Sequence, residues 1–99
     1  MLKVDDLSVL VDVLHTHPRV LIDFSAPSWC VPCQRLTPHF HAASEKSDVL
    51  FVEVDIDTAP EIADVYNVMS VPTLRLYEDG EFVRDLPART AVTILNELQ

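Results

Sequence analysis

The apolar positions of this 99-residue chain change period several times, and each change marks an element. Leu2-Lys-Val4 reads as a short first strand. Leu7, Leu10, Val11 and Leu14 then recur at helical spacing, with Asp5 or Asp6 placed to cap the helix and Pro18 to end it. Val20 to Phe24 is a continuous apolar run of strand length, interrupted only by Asp23. Such runs belong to strands covered on both faces. Ser25 to Ser28 form a loop bent by Pro27, and the helical period returns from about Cys33 to Lys46. Leu36, Phe40 and Ala43 share one face of that helix, and Pro38 inside it is expected to kink it.

Val49 to Val54 is the next strand. Thr58-Ala-Pro-Glu61 has the form of a capping box opening a short helix, with Ile62, Val65 and Tyr66 inward and Asn67 as a left-handed stop. Thr73 to Tyr77 and Glu81 to Leu86 flank Asp79-Gly80, a strong hairpin signal that contains the chain's only glycine. Thr90 is placed to cap a last helix carrying Ala91, Ile94, Leu95 and Leu98 inward. The order is β-α-β-α-β-α-β-β-α. It predicts an α/β fold over residues 1–99, one domain, with a parallel sheet covered on both faces and an antiparallel edge from the late hairpin.

Composition narrows the partners. A formal charge of -9 argues against nucleic acid as a ligand, because phosphates would be repelled. The start of the chain has no signal-peptide pattern and no run is apolar enough to span a bilayer, so neither a membrane partner nor export is expected. Both cysteines lie in one motif, leaving none for a structural framework, which favours a reducing, cytoplasmic setting. A monomer is the expectation for so small a chain.

That motif is Trp29-Cys30-Val31-Pro32-Cys33, set between the apolar strand and the helix that follows. Two thiols at a helix's beginning meet unpaired N–H groups and the positive end of its dipole, which favour a thiolate. The thiolate is the nucleophile, and a second thiol three residues on lies within reach of any mixed disulfide the first forms. The chemistry indicated is thiol–disulfide exchange. Pro32 fits the first helical turn, where its missing N–H is not needed. Trp29 reads either as core or as a flat contact surface over the disulfide. From spacing alone Asp23 is equally a strand-end carboxylate that reaches solvent or a buried acid that moves protons for the thiols. His15 and His17 read as surface residues near the end of the first helix, and His39 and His41 as solvated helix residues, since the gap from cysteine to these histidines is too short for a zinc finger.

At this point the sequence resembles the thioredoxin family over essentially its whole length. The resemblance rests on Val20-Leu-Ile-Asp-Phe-Ser-Ala26, Trp29 to Cys33, Pro38, Val52-Glu-Val-Asp-Ile-Asp57, Tyr66-Asn-Val-Met-Ser-Val-Pro-Thr73 and Glu78-Asp-Gly-Glu81, in that order. A lone Cys-x-x-Cys is a modest signal, because zinc sites use it too; these blocks together are a strong one. The resemblance implies a thioredoxin fold with a central mixed five-stranded sheet and four flanking helices. It implies Cys30 as attacking thiol, Cys33 as buried resolving thiol and Asp23 as the buried acid serving Cys33. Pro72 matches a cis-proline facing the disulfide, and Val71 would offer its backbone to an extended substrate segment. Trp29, Val31, Pro32, Val71, Pro72, Leu86 and Pro87 would form the docking rim, with Met69 adding apolar surface. No cofactor is implied beyond the reversible Cys30–Cys33 disulfide. The partners implied are disulfide-containing proteins and a separate thioredoxin reductase that restores the dithiol.

The chain departs from the family pattern around the site. Val31 replaces the usual glycine, the loop before Trp29 is one residue longer, and Ser70 stands where glycine is common. Pro87 falls near a glycine of the docking surface. Glu53 occupies the part of the strand where a lysine often approaches the buried acid. These changes point to an altered partner range or reductase preference. The leading reading is a protein-disulfide reductase. An oxidase or isomerase ranks lower because no histidine stands between the cysteines, and glutathione-linked chemistry fits Trp29 and Asp23 less well. The reading from a different class is a non-catalytic binding subunit of a larger enzyme, using the apolar rim.

Overall fold

The computed structural model describes residues 1–99. Its elements in chain order are β1 (Leu2–Lys3), α1 (Leu7–Thr16), β2 (Arg19–Ser25), α2 (Val31–Ser44), β3 (Leu50–Asp55), α3 (Pro60–Val65), β4 (Thr73–Glu78), β5 (Glu81–Leu86) and α4 (Ala91–Glu97). The five strands form one sheet in the order β1-β3-β2-β4-β5. β1 and β2 both run parallel to β3, while β2–β4 and β4–β5 are antiparallel. The hairpin therefore supplies more than an edge: β4 enters the sheet beside the central strand. No helix is long and apolar enough to cross a membrane.

The unbroken apolar run of β2 has a simple cause. It is the middle strand, and every residue from Val20 to Ser25 is buried. Val20, Ile22 and Phe24 join Leu10, Val13 and Leu14 of α1 and Ile62 of α3 in one core layer. Leu21 joins Leu36, Phe40 and Ala43 of α2 and Ile94 and Leu98 of the α4 end in the other. Residues on the second face of β2 thus point towards α2, the helix that carries the thiols.

Several local expectations are corrected. In α1 the buried residue beside Leu10 and Leu14 is Val13, and Val11 is exposed. At 100° per residue Val11 and Val13 lie about 80° to either side of the Leu10–Leu14 stripe, so spacing does not choose between them; packing does, and Val13 joins the core formed with β2. α2 begins at Val31, two residues before the predicted start, and ends at Ser44. Val65 is exposed, leaving Ile62 as the buried anchor of α3.

The capping box at Thr58 does not form. The N-cap of α3 is Ala59, which makes no side-chain cap hydrogen bond. The preceding turn takes up the polar groups instead: Asp57 N donates to Asp55 Oδ1 at 2.9 Å, and Thr58 Oγ1 donates to the Asp55 carbonyl at 3.2 Å. That is the local pattern by which Asp closes a turn on its own backbone. A reciprocal box forms at α4, where Thr93 N donates to Thr90 Oγ1 at 3.2 Å and Thr90 N to Thr93 Oγ1 at 3.1 Å. The Asp79-Gly80 turn has positive φ at both residues, 52° and 81°, as a two-residue hairpin of this hand requires.

Thr90→Ala is expected to cost about 1 kcal/mol of stability, the usual loss of an N-cap. Thr58→Ala, which removes only an exposed turn contact, is expected to cost no more than about 0.5 kcal/mol. Denaturant unfolding of the two variants distinguishes these roles, and equal losses would contradict the assignment.

Candidate active site

β2 ends at Ser25, and the chain turns at once. Trp29 N and Cys30 N both donate to the Ala26 carbonyl, at 3.2 and 2.9 Å. This turn delivers Cys30, in extended backbone conformation, to the N-cap of α2. Its Sγ accepts a hydrogen bond from Cys33 N at 3.1 Å. One of the orphan N–H groups of the helix is therefore satisfied by sulfur itself, and Pro32 in the same turn removes another donor that would have had no partner. A negative charge on Cys30 Sγ would gain from that N–H and from the helix dipole, the latter worth about 0.3–1 kcal/mol.

Cys30 and Cys33 are joined as a disulfide. Cys33 has no exposed surface, whereas Cys30 keeps a small exposed edge. The pair packs with Ala26, Ile56 and Val71. The Val71–Pro72 peptide bond is cis, and the Val71 carbonyl oxygen lies 4.0 Å from Cys30 Sγ. Arg89, to which the sequence assigned no role, donates to the Pro72 carbonyl at 3.2 Å and to the Ala88 carbonyl at 2.8 Å. It ties the loop carrying Pro72 to the segment between β5 and α4.

Around the disulfide, Trp29 is 61% exposed and Val31 51% exposed, so Trp29 is surface and not core. Trp29 is nonetheless held: its Nε1 donates to Asp57 Oδ2 at 2.8 Å, and Ser28 Oγ donates to the same oxygen at 3.3 Å. Asp57 lay inside a block of resemblance, but nothing in its spacing pointed to this contact. Met69 and Pro87 are exposed, and Val71 and Pro72 are half-buried. Leu86 corrects the expected rim. It is 2% exposed, the register partner of Leu74, and part of the core under α4, so its side chain has no surface to offer. It is the one buried residue of β5, carried into the core on the face it shares with its partner Leu74.

Asp23 is fully buried, and neither carboxylate oxygen has a hydrogen-bond partner. Across the sheet it lies between Leu74 of β4 and Glu53 of β3. Burial, reinforced by the negative charge of Glu53 and opposed by Arg89, pushes its pKa up to about 7. The spacing left two readings of Asp23 open, and the structure supports the buried acid. His39 and His41 turn to different partners: His39 Nδ1 accepts from Ala91 N at 3.2 Å, while His41 Nε2 lies 3.5 Å from Glu53 Oε1. No cluster of three or more His, Cys, Asp or Glu side chains is placed to hold a metal ion.

A family model described as thioredoxin matches residues 3–98. The thioredoxin of Mycobacterium tuberculosis is 39% identical over 100 aligned positions, covering 98% of this chain and 85% of that one. Among solved structures, a single-site mutant of thioredoxin from Halobacterium salinarum superposes with a TM-score of 0.86 at 36% identity, covering 98% of this chain and 85% of that one. Plasmodium falciparum thioredoxin superposes with a TM-score of 0.87 at 27% identity, covering 99% and 95% of the two chains.

The buried acid leaves a signature in stability. Between about pH 4 and 7 the folded oxidised protein keeps a proton on Asp23 that the unfolded chain, at the ordinary value of 3.8, has released. The stability this contributes is complete below the unfolded value and lost as pH rises through 7. Asp23→Asn has no such loss. Its stability relative to the unsubstituted protein is expected to rise between pH 4 and 8 by on the order of 4 kcal/mol. Denaturant unfolding at the two pH values measures it, and a pH-independent difference would contradict the assignment.

Proposed function

The chain belongs to the thioredoxin family of thiol–disulfide oxidoreductases, and on that premise we propose that it reduces disulfides in partner proteins. The observation that carries the reading is the asymmetric cysteine pair on the first turn of α2. Cys30 has an exposed edge and a hydrogen bond to its sulfur, and Cys33 is sealed behind it. The first reacts with partners and the second can reach only the first.

In the proposed cycle the Cys30 thiolate attacks one sulfur of a partner disulfide and displaces the other as a thiolate. The result is a mixed disulfide between Cys30 and the partner. Cys33 then loses its proton to the Asp23 carboxylate and attacks Cys30 Sγ. The partner's second thiolate leaves, so the partner gains two electrons and the Cys30–Cys33 disulfide forms. An acid titrating near 7 is suited to this step, since a base works best when its pKa lies near the working pH. The Val71 carbonyl, beside Cys30, supports docking of an extended partner segment by main-chain hydrogen bonds, with Trp29, Val31, Pro32, Pro72 and Pro87 around it. A separate thioredoxin reductase would return the pair to the dithiol. We read the protein as a monomeric, single-domain carrier acting in the cytoplasm.

The first test is reduction of insulin disulfides by catalytic amounts of the protein with dithiothreitol. Activity is expected to vanish in Cys30→Ser. Activity no better than that blank would favour the binding-subunit reading, in which the exposed Trp29, Val31 and Met69 dock a larger enzyme without chemistry. The double change Cys30→Ser, Cys33→Ser would then leave binding intact.

Val31→Gly tests the most local departure. It is expected to change turnover by a thioredoxin reductase at least severalfold while altering stability by only about 1 kcal/mol. Equal turnover by the two proteins would remove Val31 as a determinant of partner choice.

A further inference from the structure

Asp23 makes no hydrogen bond, and the cycle proposed above leaves a proton on it. A polar file across the sheet leads from that proton to solvent. Lys3 of β1, Glu53 of β3 and Asp23 of β2 are successive register partners on three adjacent strands. Register partners on neighbouring strands lie about 4.8 Å apart along the hydrogen-bonding direction, so Glu53 is the next polar side chain beyond Asp23. Its negative charge is felt at Asp23.

Glu53 is itself only 15% exposed on its side chain. Its near neighbour on the helix side is His41 of α2, whose Nε2 is 3.5 Å from Glu53 Oε1. That nitrogen is buried and makes no hydrogen bond, yet the side chain as a whole is 45% exposed. The ring therefore stands with one nitrogen against an interior carboxylate and its other edge in solvent. Glu53 and His41, with Ser25 and Thr37, line a cleft of about 380 Å³. The other charged groups facing it are Lys3 and Asp5 from the segment around β1 and Asp55 from β3, with Arg89 acting on Asp23 from the far side.

We propose that Glu53 and His41 form the exit through which the proton taken from Cys33 leaves the protein. This rests on the reductase reading and deepens it. Asp23 carboxylic acid gives its proton to the Glu53 carboxylate. Glu53 passes it to His41 Nε2, and the resulting imidazolium releases a proton from Nδ1 into the cleft. Only protons move, Asp23 is returned as a carboxylate, and no electrons or co-reactants are required. An imidazole suits the last position because it takes up and releases protons near neutral pH. Neither residue touches the reacting sulfurs; both act through Asp23.

The test is the steady-state rate of insulin reduction between pH 5.5 and 8.5, with reductant in excess, for the unsubstituted protein, Asp23→Asn, Glu53→Gln and His41→Ala. Asp23→Asn is expected to lose about a hundredfold, the low end of what a positioned base supplies. Glu53→Gln and His41→Ala are expected to lose about tenfold, since solvent can replace part of the relay. Added imidazole should restore the His41→Ala rate in proportion to its concentration and leave the unsubstituted protein unchanged, an effect no purely structural role produces. His41 is half exposed, so its truncation should leave the fold intact, and thermal unfolding checks this. A slow Asp23→Asn beside full-rate Glu53→Gln and His41→Ala would overturn the exit and leave the reductase reading standing. Full activity in Asp23→Asn would remove the acid's role and the exit with it. No activity in the unsubstituted protein would overturn the reductase reading itself.

Discussion

The hydrogen bond from Cys33 N–H to Cys30 Sγ is the contact on which the active end of this molecule depends. It makes a sulfur the cap of a 14-residue helix. The cap sets the position of Cys30 over the end of β2, the helix sets Cys33 one turn inside, and the turn anchored on the Ala26 carbonyl fixes where that helix begins. Nothing else at the amino end of α2 could serve equally. Pro32 has no N–H, and Val31 has no polar side chain. The element that would be reactive is thus the same one that closes the helix, and serine, itself a preferred N-cap, is the substitution at Cys30 that removes the thiol while keeping a cap.

The second constraint is that the central strand buries a carboxyl group without a single hydrogen bond. An ionised carboxylate in such a place is costly, and the usual outcome is that the group keeps its proton. Here that outcome is only half reached. Arg89, itself engaged with the Pro72 and Ala88 carbonyls, pulls Asp23 towards ionisation, while burial and Glu53 push the other way. The balance leaves the acid able to exist in either state near neutral pH. A fold that wanted only stability would place leucine there, as it does at Leu21 and Leu74 on the same face. The stability forgone at Asp23 is intelligible if the group must change its charge during the cycle.

The strands, the helices and the thiol pair were legible because they follow from local physics. The run from Val20 to Phe24, the Asp79-Gly80 turn and the cysteines ahead of a helical period each state their conformation within a few residues. Asn67 was legible for the same reason, and it does adopt positive φ, at 52°. The misreadings came where two local rules competed. Thr58 met the pattern of a capping box, but Asp55 had already claimed that stretch as a turn. Leu86 was placed on the rim by its neighbourhood, but its pairing with Leu74 carries it into the core. The contacts that complete the site were out of reach altogether. Trp29 with Asp57, Arg89 with Pro72, and His41 with Glu53 join residues 28, 17 and 12 positions apart, and only the sheet order brings them together. Resemblance marked the ends of some of these pairs without saying that they meet.

The departures at Val31 and Pro87 can be placed by the same reasoning. β-branched residues are disfavoured in helices because their side chains crowd the preceding turn. Val31 is the first residue of α2 and has no preceding turn, so that penalty does not apply. Its side chain is half exposed beside Cys30, and the fold gains little from it. Pro87 follows the last residue of β5, where the strand has ended and its missing N–H breaks no ladder bond. Both substitutions are thus nearly silent within the chain and sit on surface that faces outward. A partner approaching Cys30 would meet a bulkier first helical residue at Val31 and a proline at the end of β5, and Val31, lying between the two cysteines, also bears on the balance of dithiol and disulfide. On the proposed function, the departures at Val31 and Pro87 lie on the surface that a partner would meet, while Cys33 and Asp23 lie buried behind it.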